Sequence, residues 1–121
     1  MDTKKLQKIV VDALEDIKGK DIEVINTAKL TSLFDRLVIA TGDSNRQVKA
    51  LARNVQDKAR EAGAEVLSTE GEEVGEWVLV DLGDIVVHVM QPGVRLYYNL
   101  EELWQTTPAR RRTAAERVAA G

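Results

Sequence analysis

The sequence predicts a mixed α/β (α+β) domain, a sheet of about five strands flanked by helices, and three observations carry that prediction. Apolar residues recur at three- and four-residue spacing in two segments, the mark of amphipathic helices. Short β-branched runs lie between and after them, and Gly or Pro stands at the junctions.

In the first segment Leu6, Ile9, Val10, Ala13, Leu14 and Ile17 predict a helix over residues 3–18, with Gly19 as its C-terminal cap. Asp21–Asn26 and Arg36–Thr41 are strand candidates, the second centred on Leu37, Val38 and Ile39. Between them Thr27–Asp35 reads as a loop anchored by Leu30, Leu33 and Phe34. Gly42 and Asp43 end the second strand, and Ser44 with Gln47 makes the Ser-x-x-Gln pattern of a capping box. Val48, Leu51, Ala52, Val55 and Ala59 then give the second helix its apolar stripe, and Gly63 closes it.

Glu65–Thr69 reads as a short strand, Glu70–Gly75 as an acidic turn, and Glu76–Asp81 with Asp84–Met90 as a hairpin. Pro92–Gly93 breaks the hairpin, and a short helix is expected near Leu100–Trp104. The hairpin register decides how its side chains divide between faces. A two-residue loop at Leu82–Gly83 pairs Trp77 with His88 and Val80 with Ile85. Val78, Val80, Ile85, Val87 and Val89 then make an aliphatic face, with Trp77, Leu79, Asp81, Asp84, Val86, His88 and Met90 opposite. A three-residue loop, Asp81–Leu82–Gly83, pairs Trp77 with Val87 instead. The first register is preferred because it leaves one face wholly aliphatic.

At 121 residues the chain fits one domain, assigned to residues 1–104, followed by an Arg- and Ala-rich tail over residues 105–121. The tail holds four Arg and one Glu, so a net charge of −3 becomes about −6 for the body. That balance argues against a general nucleic-acid coat on the domain. From Glu61 to Val94 there is no Lys or Arg, yet both Trp residues and the only His fall between Trp77 and Trp104. An aromatic, acidic surface suits a basic partner.

Cysteine is absent, which excludes disulfides and thiol chemistry. No apolar run reaches membrane-spanning length and the start lacks a secretion-signal pattern, so a cytoplasmic protein with no membrane contact is expected. His88 alone cannot found a zinc site, and no cofactor or metal is expected. Asp81 and Asp84 around a glycine turn could act as an acid and base pair, but they also suit a solvated hairpin end. The junction Gly42-Asp43-Ser44 aims backbone N–H groups at one place, although capping already accounts for Ser44. Lys49, Arg53 and Arg60 share one helical side that reads as ordinary charged surface.

The block Trp77-Val-Leu-Val-Asp81-Leu-Gly-Asp84-Ile-Val-Val-His88-Val, followed by Pro92, Arg95, Tyr98 and Leu100-Glu101-Glu102-Leu103-Trp104, resembles the ribosomal silencing factor family, also called Iojap-like proteins. Asp35 and the block from Val38 to Ala50 fit the same family. The resemblance covers nearly all of residues 4–104 and implies a nucleotidyltransferase-like fold without an established catalytic site. It further implies binding to the large ribosomal subunit through ribosomal protein uL14, a steric block to small-subunit joining, and repression of translation when nutrients are scarce. It also implies a homodimer when the protein is free.

Carried across by position, Trp77, Leu79, Asp81, Asp84, His88, Arg95 and Tyr98, with Glu76, fall in or beside the partner surface. Tyr97, Tyr98 and Trp104 also read as core closure, with Leu100 and Leu103. The family commonly has Asp where this chain has Asn26, an aromatic where it has Arg36, and Phe near Met90. Peripheral ribosomal RNA contact is a further expectation of the ribosome-binding reading; the rival readings are a nucleotidyltransferase-like nucleotide-binding enzyme and an RNA-binding module led by Arg110–Arg112.

Overall fold

A computed structural model describes residues 1–105 and contains a five-stranded mixed sheet with four helices. In chain order these are α1 (Thr3–Asp16), β1 (Lys20–Asn26), β2 (Arg36–Thr41), α2 (Asn45–Glu61), β3 (Ser68–Glu70), β4 (Trp77–Asp81), β5 (Ile85–Met90), α3 (Pro92–Tyr98) and α4 (Leu100–Gln105). The sheet order is β1-β2-β5-β4-β3, with β2 and β5 parallel and every other neighbour pair antiparallel. The tail from residue 106 lies outside the described residues.

Both long helices cover one face of the sheet. Leu6, Val10, Ala13 and Leu14 of α1 and Val48, Leu51, Ala52, Val55 and Ala59 of α2 are buried against Val38, Ala40, Val78, Val80, Ile85, Val87 and Val89. Burying the Leu, Ile and Val side chains of this set, at roughly 1.5–3 kcal/mol each, supplies the main folding force. The other face carries a smaller cluster of Ile25, Leu37, Ile39 and Met90, packed by Phe34, Trp77, Val86, Val94, Leu100 and Trp104. Only the short α3 and α4 serve that side, so it is less fully closed.

The helix ends follow backbone accounting. Asp2 caps α1 by accepting from Lys5 N–H at 2.7 Å. At its other end Lys18, not Gly19, takes the left-handed conformation with φ 61°, and the N–H groups of Lys18 and Gly19 bond back to Glu15 and Leu14. Gly19 is favoured for space: a Cβ there would lie 3.0 Å from the Leu14 carbonyl oxygen and 3.1 Å from Leu51, tight contacts that the neighbours would have to relieve. Ser44 caps α2 through Gln47 N–H, but the Gln47 side chain reaches one residue further back and accepts from Asp43 N–H at 2.7 Å. Gly63, at φ 93°, closes α2 as expected.

Several expectations are corrected. In the hairpin, Trp77 lies opposite Met90 and Leu79 opposite His88, so the register is two residues from the preferred one. Leu82 N–H bonds to the Ile85 carbonyl, leaving Gly83 and Asp84 as the two loop residues. Positive φ at the first of them alone is the type II′ pattern. A shift of two preserves side-chain parity, so the aliphatic and mixed faces divide as expected. The third strand starts three residues late, at Ser68. Pro92 begins a helix instead of merely breaking a strand, because N1 needs no N–H donor.

Leu33 is 80% exposed and anchors nothing, while Tyr97 at 81% exposure is not core closure, and Leu103 is also exposed. Trp104 does close the second face: its ring lies 5.4 Å from that of Phe34.

Candidate functional site: an acid-rimmed groove on the open sheet face

The second face is shaped by alternation along β4 and β5. Val78 and Val80 point to the helices, which sends Trp77, Leu79 and Asp81 to the opposite side; Val86, His88 and Met90 join them from β5. Between the 27–35 loop, β3 and α4, the side chains of Leu79, Asp81, Val86 and His88 line a groove of about 620 Å³, with Trp77 and the fully buried Met90 outside its lining. Its walls are mainly apolar, from Leu33, Phe34, Leu67, Leu79, Val86 and Trp104, while Glu70 and Asp81 supply acid. Nonpolar walls with a few fixed polar groups are typical of binding sites.

Trp77 and His88 form the rigid corner of this face. The Trp77 indole N–H donates to His88 Nδ1 at 2.9 Å, so the neutral imidazole keeps its own proton on Nε2. Only 9% of His88 is exposed, and burial pushes its pKa down to about 4. Trp77 also packs on Tyr98, with ring centroids 4.8 Å apart, and Tyr98 meets Tyr97 edge-on at 4.9 Å. Outside the groove, this aromatic cluster leads to exposed surface at α3, where Leu96 and Tyr97 stand in solvent.

The acidic residues fall into different settings. Asp81 Oδ1 accepts from Gly83 N–H at 2.8 Å, which holds the hairpin loop. The Asp84 carbonyl accepts from Asp35 and Arg36 N–H, leaving its exposed carboxylate free for solvent or a partner. Glu76 is exposed immediately before β4. Four salt bridges are formed among the described residues, and none involves Glu70, Glu76, Asp81 or Asp84. Between Glu61 and Val94 there is no Lys or Arg, so these carboxylates have no cation from their own segment of the chain.

Arg95 sits elsewhere. It is 91% buried, and its guanidinium donates to Glu101 Oε2 at 2.9 Å, to Thr41 Oγ1 at 2.8 Å and to the Asp21 carbonyl. Asp21 has φ 47° where the pairing of β1 with β2 shifts register, which turns that carbonyl out of the ladder. Arg95 thus fastens α3 and α4 to β1 and β2 from the inside. Nothing in its sequence neighbourhood signals this, because Asp21 is 74 positions away.

The Gly42-Asp43-Ser44 junction is likewise occupied by the fold. Gly42 N–H donates to the Met90 carbonyl and Asp43 N–H to Gln47 Oε1, Ser44 Oγ accepts from Gln47 N–H, Lys20 pairs with Asp43, and the Asn45 side chain donates to the Val74 carbonyl at 2.6 Å. Among the described residues no group of three or more His, Asp or Glu is placed to hold a metal ion, and no helix is long and apolar enough to cross a membrane.

Fold and groove together define a class: a small α/β protein with both long helices on one sheet face and an apolar, acid-containing groove on the other. Within that class, the family described as "Ribosomal silencing factor during starvation" matches residues 1–120, and the chain belongs to it. The match extends into the tail. The ribosomal silencing factor RsfS of Chromobacterium violaceum is 62% identical over 104 residues, covering 86% of this chain and 85% of that protein. The RsfS of Bacillus subtilis is 42% identical over 108 residues, 89% of this chain and 92% of its own. A crystal structure of a Chromobacterium violaceum protein superposes with a TM-score of 0.86 at 60% identity, covering 88% of this chain and 89% of that one. The general function that goes with membership is regulation of translation by ribosome silencing.

Proposed function

We propose that the chain binds the large ribosomal subunit through ribosomal protein uL14, using the open sheet face, and so blocks entry of the small subunit. The single observation that carries this reading is the apolar groove with Glu70 and Asp81 in its lining, supplied by a segment that contains no Lys or Arg. Leu79, Trp77 and Tyr98 supply apolar contact, and Glu76, Asp81 and Asp84 meet Lys or Arg of the partner. A specific protein interface covers about 800 Å² on each side, so the groove is its centre and the exposed rim its periphery. His88 acts from behind, holding the Trp77 ring by the indole hydrogen bond, and Arg95 holds the helices that frame the groove.

Repression follows from geometry: a protein seated where the two subunits meet excludes one by occupying its place. Such a repressor needs no chemistry, only residence. The test is co-sedimentation with isolated large subunits of the wild-type chain and of Leu79→Ala with Asp84→Lys. Neither side chain supports the fold through a hydrogen bond, so the variant stays folded and loses binding by about tenfold or more, the range of a disrupted interface centre. Undiminished sedimentation of a folded variant would overturn the assigned face.

A further inference from the structure

We propose that the groove is a docking site for an arginine-rich segment, and that its resident occupant is this chain's own Arg110–Arg112. This rests on the reading of the same groove as the partner surface. Two observations meet here. The last described helix ends at Gln105, beside Trp104, and Trp104 is itself a wall of the groove that contains Glu70 and Asp81. Arg110 therefore follows the groove wall by a handful of residues, a reach of roughly 20 Å. Neighbouring strands are spaced about 4.8 Å, so the distance across the floor from β5 to β3 is only about 10 Å. That span is shorter than the reach, and Glu70 and Asp81 line the same groove as Trp104.

The second observation is charge. Residues 105–121 carry +3, whereas Glu61–Val94 contains no Lys or Arg and its groove carboxylates have no ion pair among the described residues. Guanidinium groups suit this surface twice over, since they pair with carboxylates and stack on aromatic rings such as Trp104. A tethered segment needs little intrinsic affinity, because its effective concentration is in the millimolar range. A basic partner reading the same face then has to displace it. The segment acts as a tethered competitor that lowers the affinity of every ligand of the groove by the same factor.

The experiment compares the full wild-type chain with Arg110→Glu/Arg111→Glu/Arg112→Glu. First, amide and indole resonances of the free proteins are recorded at low and high salt, with no ribosome present. The proposal expects the Gly83, His88 and Trp104 signals of the wild type to move with salt toward those of the variant, which itself stays salt-insensitive. Identical spectra at low salt overturn it, whatever the ribosome does. Second, binding to large subunits is measured for both. If the segment occupies the groove between half and nine-tenths of the time, its removal tightens binding about two- to tenfold. Weaker binding by the variant, with unchanged free spectra, assigns the arginines to ribosomal RNA and also overturns the proposal. Loss of the groove reading itself is distinguished by Leu79→Ala with Asp84→Lys binding normally.

Discussion

Replacing Arg95 by Ala separates an internal clamp from a partner contact. The side chains of Arg95 and Glu101 are 10% and 19% exposed, so neither charge is held mainly by water. Glu101 Oε1 is buried with no hydrogen-bond partner among the described residues, which leaves its carboxylate dependent on the bond from Arg95 to Oε2. The substitution also strands the turned-out Asp21 carbonyl and the Thr41 hydroxyl. Breaking a buried pair from one side costs about 3–5 kcal/mol. For a domain of this size that is a fall of roughly 10–20 °C in Tm. Thermal and urea unfolding measure it, and Arg95→Met with Glu101→Leu should recover a large part, because an apolar pair removes the stranded charge. An Arg95→Ala protein of unchanged stability that no longer binds large subunits would refute the clamp and return Arg95 to the partner surface.

Four further outcomes are expected. Gly71→Ala should be strongly destabilising, since φ is 87° and the added Cβ would fall 2.1 Å from the Trp77 carbonyl oxygen, whereas Gly63→Ala, with nothing within 4 Å, should cost about 1–2 kcal/mol for its left-handed backbone alone; urea midpoints compare them. His88 is protonated near pH 6.5 when unfolded but only near pH 4 when folded, so between those values the unfolded state binds more protons. Stability is therefore full above about pH 6.5 and falls by about 3 kcal/mol as pH drops toward 4, a slope that His88→Phe should flatten in pH-dependent unfolding. Trp77→Phe removes the indole donor and leaves the imidazole unsatisfied, costing about 1–3 kcal/mol by denaturant titration and weakening subunit binding through the displaced ring. Leu51→Ala, on the fully buried stripe of α2, should cost about 2–5 kcal/mol without altering affinity in the folded fraction.

The parts of this fold legible in the sequence are those specified locally. The second helix is one, because Ser44, the apolar stripe and Gly63 each carry their own signal. β2 is another, since a short apolar run between turn residues has few alternatives. The hairpin shows where local signals thin out: parity followed from keeping the aliphatic residues together, but the register depended on which pair flanks Gly83, and Leu82 could close the turn or sit inside it. α3 was obscured because Pro both stops strands and starts helices. For the site, Trp77, Leu79 and the acids were legible as neighbours along two strands. The inward turn of Arg95 was not, since it depends on a bulge in β1 and an acid beyond a helix break, contacts that only the tertiary fold brings together.

The central claim, that the open sheet face seats the chain on uL14, is tested most directly by placing a photo-crosslinking residue at Leu79 and, as a control, at Asp57 on the exposed side of α2. Each protein is bound to isolated large subunits, irradiated, and its adducts identified by mass spectrometry. Crosslinking from position 79 to uL14, with none from position 57, is the predicted result. Adducts from position 57 but not 79, or from 79 to a different ribosomal component, would contradict it.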